Sequence, residues 1–225
     1  MKNKHYHYLS FLKRFGIVTF LFNSMAYLYR YLTATFEWEE NARYLVKTAQ
    51  NPFAHDFLDL GTGPGYIAHE LSNLYGAARV IGLDCAFKMV KIASAKKHQR
   101  GFFIQADSEY APFRNNTLDV ITARSVLWLN ENPEKILSEV KRILKEKGRF
   151  ILLEPFAEGR LIPALRKAKH LRVGLAHFGL VIMTKLLGCY REEEWKSILT
   201  EHGFSISHCE KVLDNLAILL ISEKK

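Results

Sequence analysis

Three carboxylates and three glycines, in a fixed order along the chain, carry the chemistry this sequence is equipped for. Asp59, Gly61, Gly63 and Gly65 follow one another at every second position at the end of the apolar run 57–60. Asp84 closes the apolar run 79–83, and Asp107 follows the run 101–106. Glycines at a strand-to-helix turn let the backbone come nearer to a ligand than a Cβ would allow, and the helix behind them presents unpaired N–H groups. A carboxylate can accept from two hydroxyls at once, which suits a ribose diol. Asp84 stands 23 residues beyond Gly61, near the separation at which α/β nucleotide sites place that acid. The spacing is not that of a dinucleotide site, because G-x-G-x-x-G counted from Gly61 needs a glycine where the chain has Tyr66.

The elements that must hold these groups follow from hydrophobic periodicity. From Pro52 onward, short apolar runs at 57–60, 79–83, 101–106, 118–122 and 150–153 alternate with helical patterns, including a clear amphipathic helix over 133–144 closed by Lys147-Gly148. That alternation is the signature of a parallel sheet covered on both faces. A further helix is expected over 37–50, ended by Asn51-Pro52. Near the end of the chain come a helix over 191–202 and an antiparallel pair at 204–209 and 216–222. A length of 225 residues fits one domain with a substantial core.

The acid-x-Gly-x-Gly-x-Gly sequence from Asp59 to Gly65 resembles the first motif of the class I S-adenosylmethionine-dependent methyltransferases. The run 136–155, Ile-Leu-Ser-Glu-Val-Lys-Arg-Ile-Leu-Lys-Glu-Lys-Gly-Arg-Phe-Ile-Leu-Leu-Glu-Pro, is similar to the corresponding segment of small-molecule members, including quinone-ring and lipid methyltransferases. The resemblance covers 57–155 well and the ends poorly. It implies an α/β, three-layer Rossmann-like methyltransferase fold: a mostly parallel seven-stranded sheet with a C-terminal antiparallel hairpin strand and helices on both faces. It also implies a single domain, with a helical cap over 1–51, a cofactor-binding core over 52–155, a variable lid over 156–190 and a C-terminal helix and hairpin over 191–225.

The implied cofactor is S-adenosyl-L-methionine. Its implied site comprises Asp59, Gly61, Thr62, Gly63, Gly65, Asp84, Cys85, Met89, Asp107, Ser108 and Arg124. Asp84 would hold the ribose, Asp107 the adenine amino group, and Met89 would pack near the adenine. Arg124 would meet the donor's carboxylate or an anionic acceptor. No Asn/Asp-Pro-Pro-aromatic sequence follows the run 118–122, which argues against methylation of DNA amino groups. The chain has no Tyr-x-x-x-Lys pair, which argues against a short-chain dehydrogenase, while a nucleotide-dependent oxidoreductase, disfavoured by the glycine spacing, stays open as an alternative.

The ends and the segment 156–190 bear on the acceptor. With 32 Lys and Arg against 23 Asp and Glu, the net charge is +9, and an anionic partner is the expectation. Residues 1–36 carry Lys2, Lys4, Lys13, Arg14 and Arg30 and no acid, interleaved with ten Phe and Tyr residues. The segment imitates a signal peptide, but its apolar run 15–22 is short and aromatic. It reads first as helices packing over the cofactor site and second as a surface-lying amphipathic anchor. Between 156 and 190, six basic residues face one acid, Glu158, beside the apolar run 173–183. This is either a helical pair buried on the core or a lid over a hydrophobic acceptor docked on anionic lipid.

Methyl transfer needs a general base only for a protonated acceptor, and His177 and Tyr190 are the candidates by position. Trp128, Tyr27 and Tyr31 are the candidates to line or close the acceptor pocket. Cys85, Cys189 and Cys209 lack metal or disulfide spacing and read as packing residues in a reducing cytoplasm. The pair His5 and His7 reads as solvated, so no metal is expected. The functional expectation is methyl transfer to a small or lipid-like acceptor, in the cytoplasm, with peripheral contact at the inner membrane face as a further reading. Nucleic acid is not the expected partner. RNA or protein methylation, and a non-catalytic adaptor for a membrane or a protein, stay open as alternatives.

Overall fold

The alternating apolar strands pair into one seven-stranded sheet. The structure is a computed structural model that describes residues 16–34, 36–48, 51–76, 78–95, 101–156, 171–213 and 215–225. The strands are β1 (Asp56–Leu60), β2 (Arg79–Asp84), β3 (Phe102–Gln105), β4 (Leu118–Arg124), β5 (Leu144–Pro155), β6 (Phe204–Val212) and β7 (Ala217–Lys224). Their order is β3-β2-β1-β4-β5-β7-β6. The pairs among β1–β5 are parallel, and β7 runs antiparallel to both β5 and β6. This is the mostly parallel Rossmann-like sheet with a C-terminal antiparallel hairpin expected from the sequence. The order reverses between β1 and β4, the switch point at which such sheets leave a crevice beyond their carboxyl ends. Asp59, Asp84 and Arg124 all stand at those ends.

The central strands β1, β2 and β4, with 150–153 of β5 and 217–221 of β7, are mostly apolar because both faces are covered there, whereas the edge strands β3 and β6 are largely exposed or half-buried. Leu58, Ile121, Phe150, Leu152 and Leu220 point to one face, with Ile136, Leu137 and Val140 of α5 (Pro133–Ile143) and Trp195 and Leu199 of α7 (Glu192–Glu201). Phe57, Val120, Ile151, Leu153 and Ile221 point to the other, with Ala42, Leu45 and Val46 of α2 (Phe36–Thr48) and Ile67, Ala68 and Leu71 of α3 (Tyr66–Leu74). Successive side chains on a strand alternate faces, so a run apolar at every position means two cores.

Three further α-helices are α1 (Ile17–Thr33), α4 (Phe87–Ser94) and α6 (Leu171–Leu187), and short 3-10 turns span Ser108–Tyr110 and Leu127–Leu129. Helix α1 buries Ala26 against Ala86, Met89 and Ile92 beside α4, with Phe22 and Tyr29 at the edge of that cluster. Some boundaries differ from the sequence reading. Helix α2 is described as far as Thr48, residues 49 and 50 lying outside the described residues, and α5 stops at Ile143. β5 begins at once with Leu144, so Lys147-Gly148 lies inside the strand instead of forming a turn before it. The buried Leu144 pairs with Leu118, and the register shifts before Val120 pairs with Arg149, an irregularity that accommodates Lys147 at a left-handed φ of 60°. The readings of His5, His7, the basic and aromatic residues before Gly16, and Arg160, Arg166, Lys167 and Lys169 fall outside the described residues.

Phe204 is fully buried, and its ring centroid lies 5.5 Å from that of Phe150, tying the terminal hairpin to β5. Phe204→Ala is expected to cost about 3–5 kcal/mol, read as a lower urea midpoint with an unchanged denaturant slope. A loss below about 1 kcal/mol would mean that the hairpin is not anchored through this ring.

Candidate functional site

The glycine turn is shaped by what surrounds it. Gly61, Gly63 and Gly65 have φ of 66°, 52° and 83°, values that L side chains adopt only with strain. Their surroundings differ. A Cβ on Gly61 would overlap Val126 Cγ2, and one on Gly65 would lie 2.9 Å from Nε2 of the buried His69, but one on Gly63 would meet nothing within 4 Å. Gly61 and Gly65 are therefore glycine for packing as well as for backbone conformation. Gly63 faces open space, where a ligand would approach the backbone.

Asp84 braces that turn from the neighbouring strand. Its Oδ2 accepts from the Gly63 N–H at 2.8 Å and its Oδ1 from the Ala86 N–H at 2.8 Å. The parallel register supplies the reach, since Leu60 is paired with Leu83 and the Thr62 N–H donates to the Leu83 carbonyl at 2.9 Å. Burial pushes the Asp84 carboxyl up, and the two N–H donors oppose it. Each oxygen keeps lone-pair capacity beyond its backbone partner, enough for a pair of ligand hydroxyls.

Asp59 lies beneath the turn, 1% exposed, and accepts from Thr62 Oγ1 at 2.7 Å and from Thr122 Oγ1 at 2.8 Å. Its part is to hold Thr62 and the turn to β4. Burial raises its carboxyl to about 6, against the two hydroxyl donors. Arg124, at the end of β4, is held below the usual guanidinium range by burial, with Tyr29, Asp59 and Tyr66 opposing that shift. Burial raises Tyr29, and Arg124 opposes it. Burial also raises Tyr66, whose phenol is hydrogen-bonded to Thr33 of α1. Asp59, Asp84, Arg124, Tyr66 and Tyr29 thus form one enclosed electrostatic group at the sheet's carboxyl edge, completed by the N-terminal helix.

Helix α1 is fastened to the β2–α4 corner. Asn23 Oδ1 accepts the Lys88 N–H at 3.1 Å, capping the start of α4 from another helix, and Thr19 Oγ1 lies 3.4 Å from Cys85 Sγ. Asp107 is exposed after β3, with Oδ1 accepting the Glu109 N–H at 2.9 Å and Ser108 starting the short helical turn behind it. The loop after β4 is set by Glu154, whose Oε1 accepts from the Val126 and Leu127 N–H groups at 2.9 and 2.8 Å, and by Ser125 at a φ of 55°.

Several residues lie elsewhere than their sequence positions suggested. Tyr27 and Tyr31 are exposed on the outer side of α1, and Tyr29 between them faces the site, in helical phase with Phe22, Ala26 and Thr33. Trp128 is 1% exposed and belongs to the core beneath β4 and β5. Met89 is buried in the contact between α1 and α4. His177 lies on the buried side of α6 with Val173 and Val181. Tyr190 packs on Trp195 at 4.6 Å, and burial beside Glu134 and Glu194 raises its phenol. A phenol so held is a hydrogen-bond donor rather than a base near neutral pH. Two of the cysteines, Cys85 and Cys209, are exposed rather than packed, whereas the half-buried Cys189 packs against the core and donates to the Pro155 carbonyl. The sequence reading passed over Tyr29, Tyr66, His69, Thr122 and Glu154. Thr122, the one hydroxyl of β4 and set between the apolar Ile121 and Ala123, was the clearest available signal.

The family model for a methyltransferase domain matches residues 58–152. The chain is 33% identical over 122 residues to an uncharacterized methyltransferase, YcgJ, of Bacillus subtilis, covering 52% of this chain and 47% of the relative. It is 32% identical over 143 residues to the ubiquinone/menaquinone biosynthesis C-methyltransferase UbiE of Desulfotalea psychrophila, covering 62% and 57%. The chain thus spans about half the length of the curated relatives it matches. The magnesium protoporphyrin IX methyltransferase of Synechocystis, solved with bound SAH, superposes with a TM-score of 0.67 at 20% identity over 93% of this chain and 99% of that one, a likeness of fold.

The Asp59 geometry makes a pH prediction. Its folded pKa, about 6, lies above the ordinary 3.8, so its contribution to stability is full below pH 3.8 and is lost as pH rises through 6. Relative to wild type, Asp59→Asn is expected to gain about 2–3 kcal/mol in unfolding free energy between pH 4 and pH 7, measured by urea titration at each pH. A difference that stays flat across that window would mean Asp59 does not titrate there.

Proposed function

We propose, from the match of residues 58–152 to the methyltransferase-domain model, that the chain is a class I S-adenosylmethionine-dependent methyltransferase and transfers the methyl group of S-adenosylmethionine to a small or lipid-like acceptor. The observation that carries this reading is the joint placement of Gly63, open above and left-handed, and Asp84, which holds its N–H from the next strand. The residues fit the cofactor. A Cβ at position 63 would take up the space in which a nucleoside lies against the backbone, and Asp84 retains acceptor capacity for both ribose hydroxyls. We assign the adenine edge to Asp107 and Ser108, which follow β3, and the amino acid's carboxylate to the buried Arg124 guanidinium.

Bound S-adenosylmethionine supplies an electrophilic methyl on a sulfonium, which an acceptor displaces in line. What the chain contributes is positioning and exclusion of water, the larger part of the acceleration for such a transfer. Tyr29 and α1 close the site over Arg124 and Tyr66 and keep it dry. His177 is the residue we assign to take the proton of a protonated acceptor, and Tyr190 can serve there only as a hydrogen-bond donor. Support for a hydrophobic acceptor comes from the relatives that act in ubiquinone and menaquinone biosynthesis and from the apolar composition of 171–187. We take the segment 156–190 as the lid on that acceptor and 1–51 as the cap on the cofactor.

Two experiments test this reading. Asp84→Asn keeps one carbonyl acceptor and removes the other, so S-adenosylhomocysteine affinity by calorimetry is expected to fall about 10–100-fold, with a lower melting temperature because the Gly63 or the Ala86 N–H loses its acceptor. Unaltered affinity would remove Asp84 from the site. With methyl-labelled S-adenosylmethionine and a lysate of the source organism, label is expected in the organic-solvent fraction and absent with Asp84→Asn. Label in RNA or protein would overturn the small-acceptor assignment.

A further inference from the structure

Helices α1 and α6 pack against each other, Val18 and Phe22 joining the same core as Leu180 and Met183. Each also leaves an apolar stripe in solvent. On α6 the exposed residues are Leu171, Leu175, Phe178, Ile182 and Leu186, spaced by four, three, four and four, a single helical face. On α1 they include Phe20, Met25, Tyr27, Leu28 and Tyr31, with Phe20 at 68% and Leu171 at 80% exposure. Two neighbouring helices that are apolar on both their inner and outer sides are not the surface of an element that ends in water. No single helix among the described residues is long and apolar enough to span a membrane, so each of the two would lie along an interface.

Charge identifies the occupant. Residues 16–34 and 171–187 contain no Asp or Glu. Their cations are Arg30, Arg172 and Lys185, and Arg30 and Lys185 are exposed beside the stripes. A second copy docked on this face would bring like charges together with no carboxylate on either helix to answer them. An anionic headgroup layer supplies the missing charge, and Tyr27 and Tyr31 have the amphipathic rings that suit a headgroup boundary.

We propose that the outer faces of α1 and α6 together dock on an anionic lipid bilayer, with Phe20 and Phe178 as apolar anchors and Arg30 and Lys185 as headgroup contacts. The proposal extends the lipid-like acceptor reading above and rests on it for its purpose, since the inner face of the same α1 presents Tyr29 to the cofactor site. Docking would set the closed site directly on the phase that holds the acceptor.

The test needs no acceptor and so separates the two readings. Full-length protein is sedimented with vesicles of phosphatidylcholine alone or doped with phosphatidylglycerol. The parent is compared with Phe20→Glu/Phe178→Glu and with Arg30→Glu/Lys185→Glu, and S-adenosylhomocysteine binding is measured on each as the check of fold. Expected is binding to doped vesicles, weak binding to neutral ones, and a loss of about tenfold or more for either double variant with cofactor binding kept. A third variant, Leu74→Glu, carries a charge onto an exposed leucine of α3 outside both stripes and is expected to bind as the parent does. Equal binding to neutral and doped vesicles, no vesicle binding, or unchanged binding by the double variants would each overturn the proposal. So would a parent dimer that Phe20→Glu/Phe178→Glu converts to monomer, which would give the face to a second copy.

Discussion

The site depends on one carboxylate shared between two loops. Asp84 takes the Gly63 N–H with one oxygen and the Ala86 N–H with the other, so a single side chain fixes both the turn after β1 and the entry to α4. That arrangement is available only because β1 and β2 run parallel in a register that sets Leu60 beside Leu83, and because a left-handed φ at position 63 turns that N–H toward the strand. Burying the carboxylate is unfavourable and pushes its pKa up, and the two N–H donors oppose that rise. Beneath it, Asp59 does the same for the turn's other side, through Thr62 and Thr122.

The N-terminal helix makes this corner into an enclosure. Asn23 caps α4 and Ala26 packs on Met89, which lets Tyr29 reach the Arg124 and Tyr66 group. Position and dryness come from the same contacts: the element that seals the site is held by the helix that begins at the site's own carboxylate loop. Removing water strengthens every charge interaction inside, which is what a sulfonium and a carboxylate bound side by side require.

The central part of this arrangement was legible in the sequence because it rests on local rules. Asp59, Gly61, Gly63, Gly65 and Asp84 announce themselves by spacing, and the alternation of strands and helices fixes the parallel sheet. The outer parts were harder because they rest on phase and on distant partners. Five aromatics within 17–33 show that α1 is apolar, but choosing Tyr29 over Tyr27 and Tyr31 requires knowing which side meets α4. Trp128 and His177 have residue types that suit a pocket, yet both are buried by the tertiary packing of β4 and α6, which no local pattern reports. Lys147-Gly148 has the composition of a turn, but the pairing of Leu144 with Leu118 draws it into a strand.

The central claim is that a nucleoside lies on Gly63, against Asp84 and under α1. Hydrogen exchange of the full chain with and without S-adenosylhomocysteine tests it most directly, by reading the backbone itself. The account predicts slowed exchange in peptides covering 61–66 and 84–90 and in α1 around Tyr29, with no comparable change in the β6–β7 hairpin. Unchanged exchange at 61–66 at saturating ligand, or protection confined to α6 and the hairpin, would contradict it.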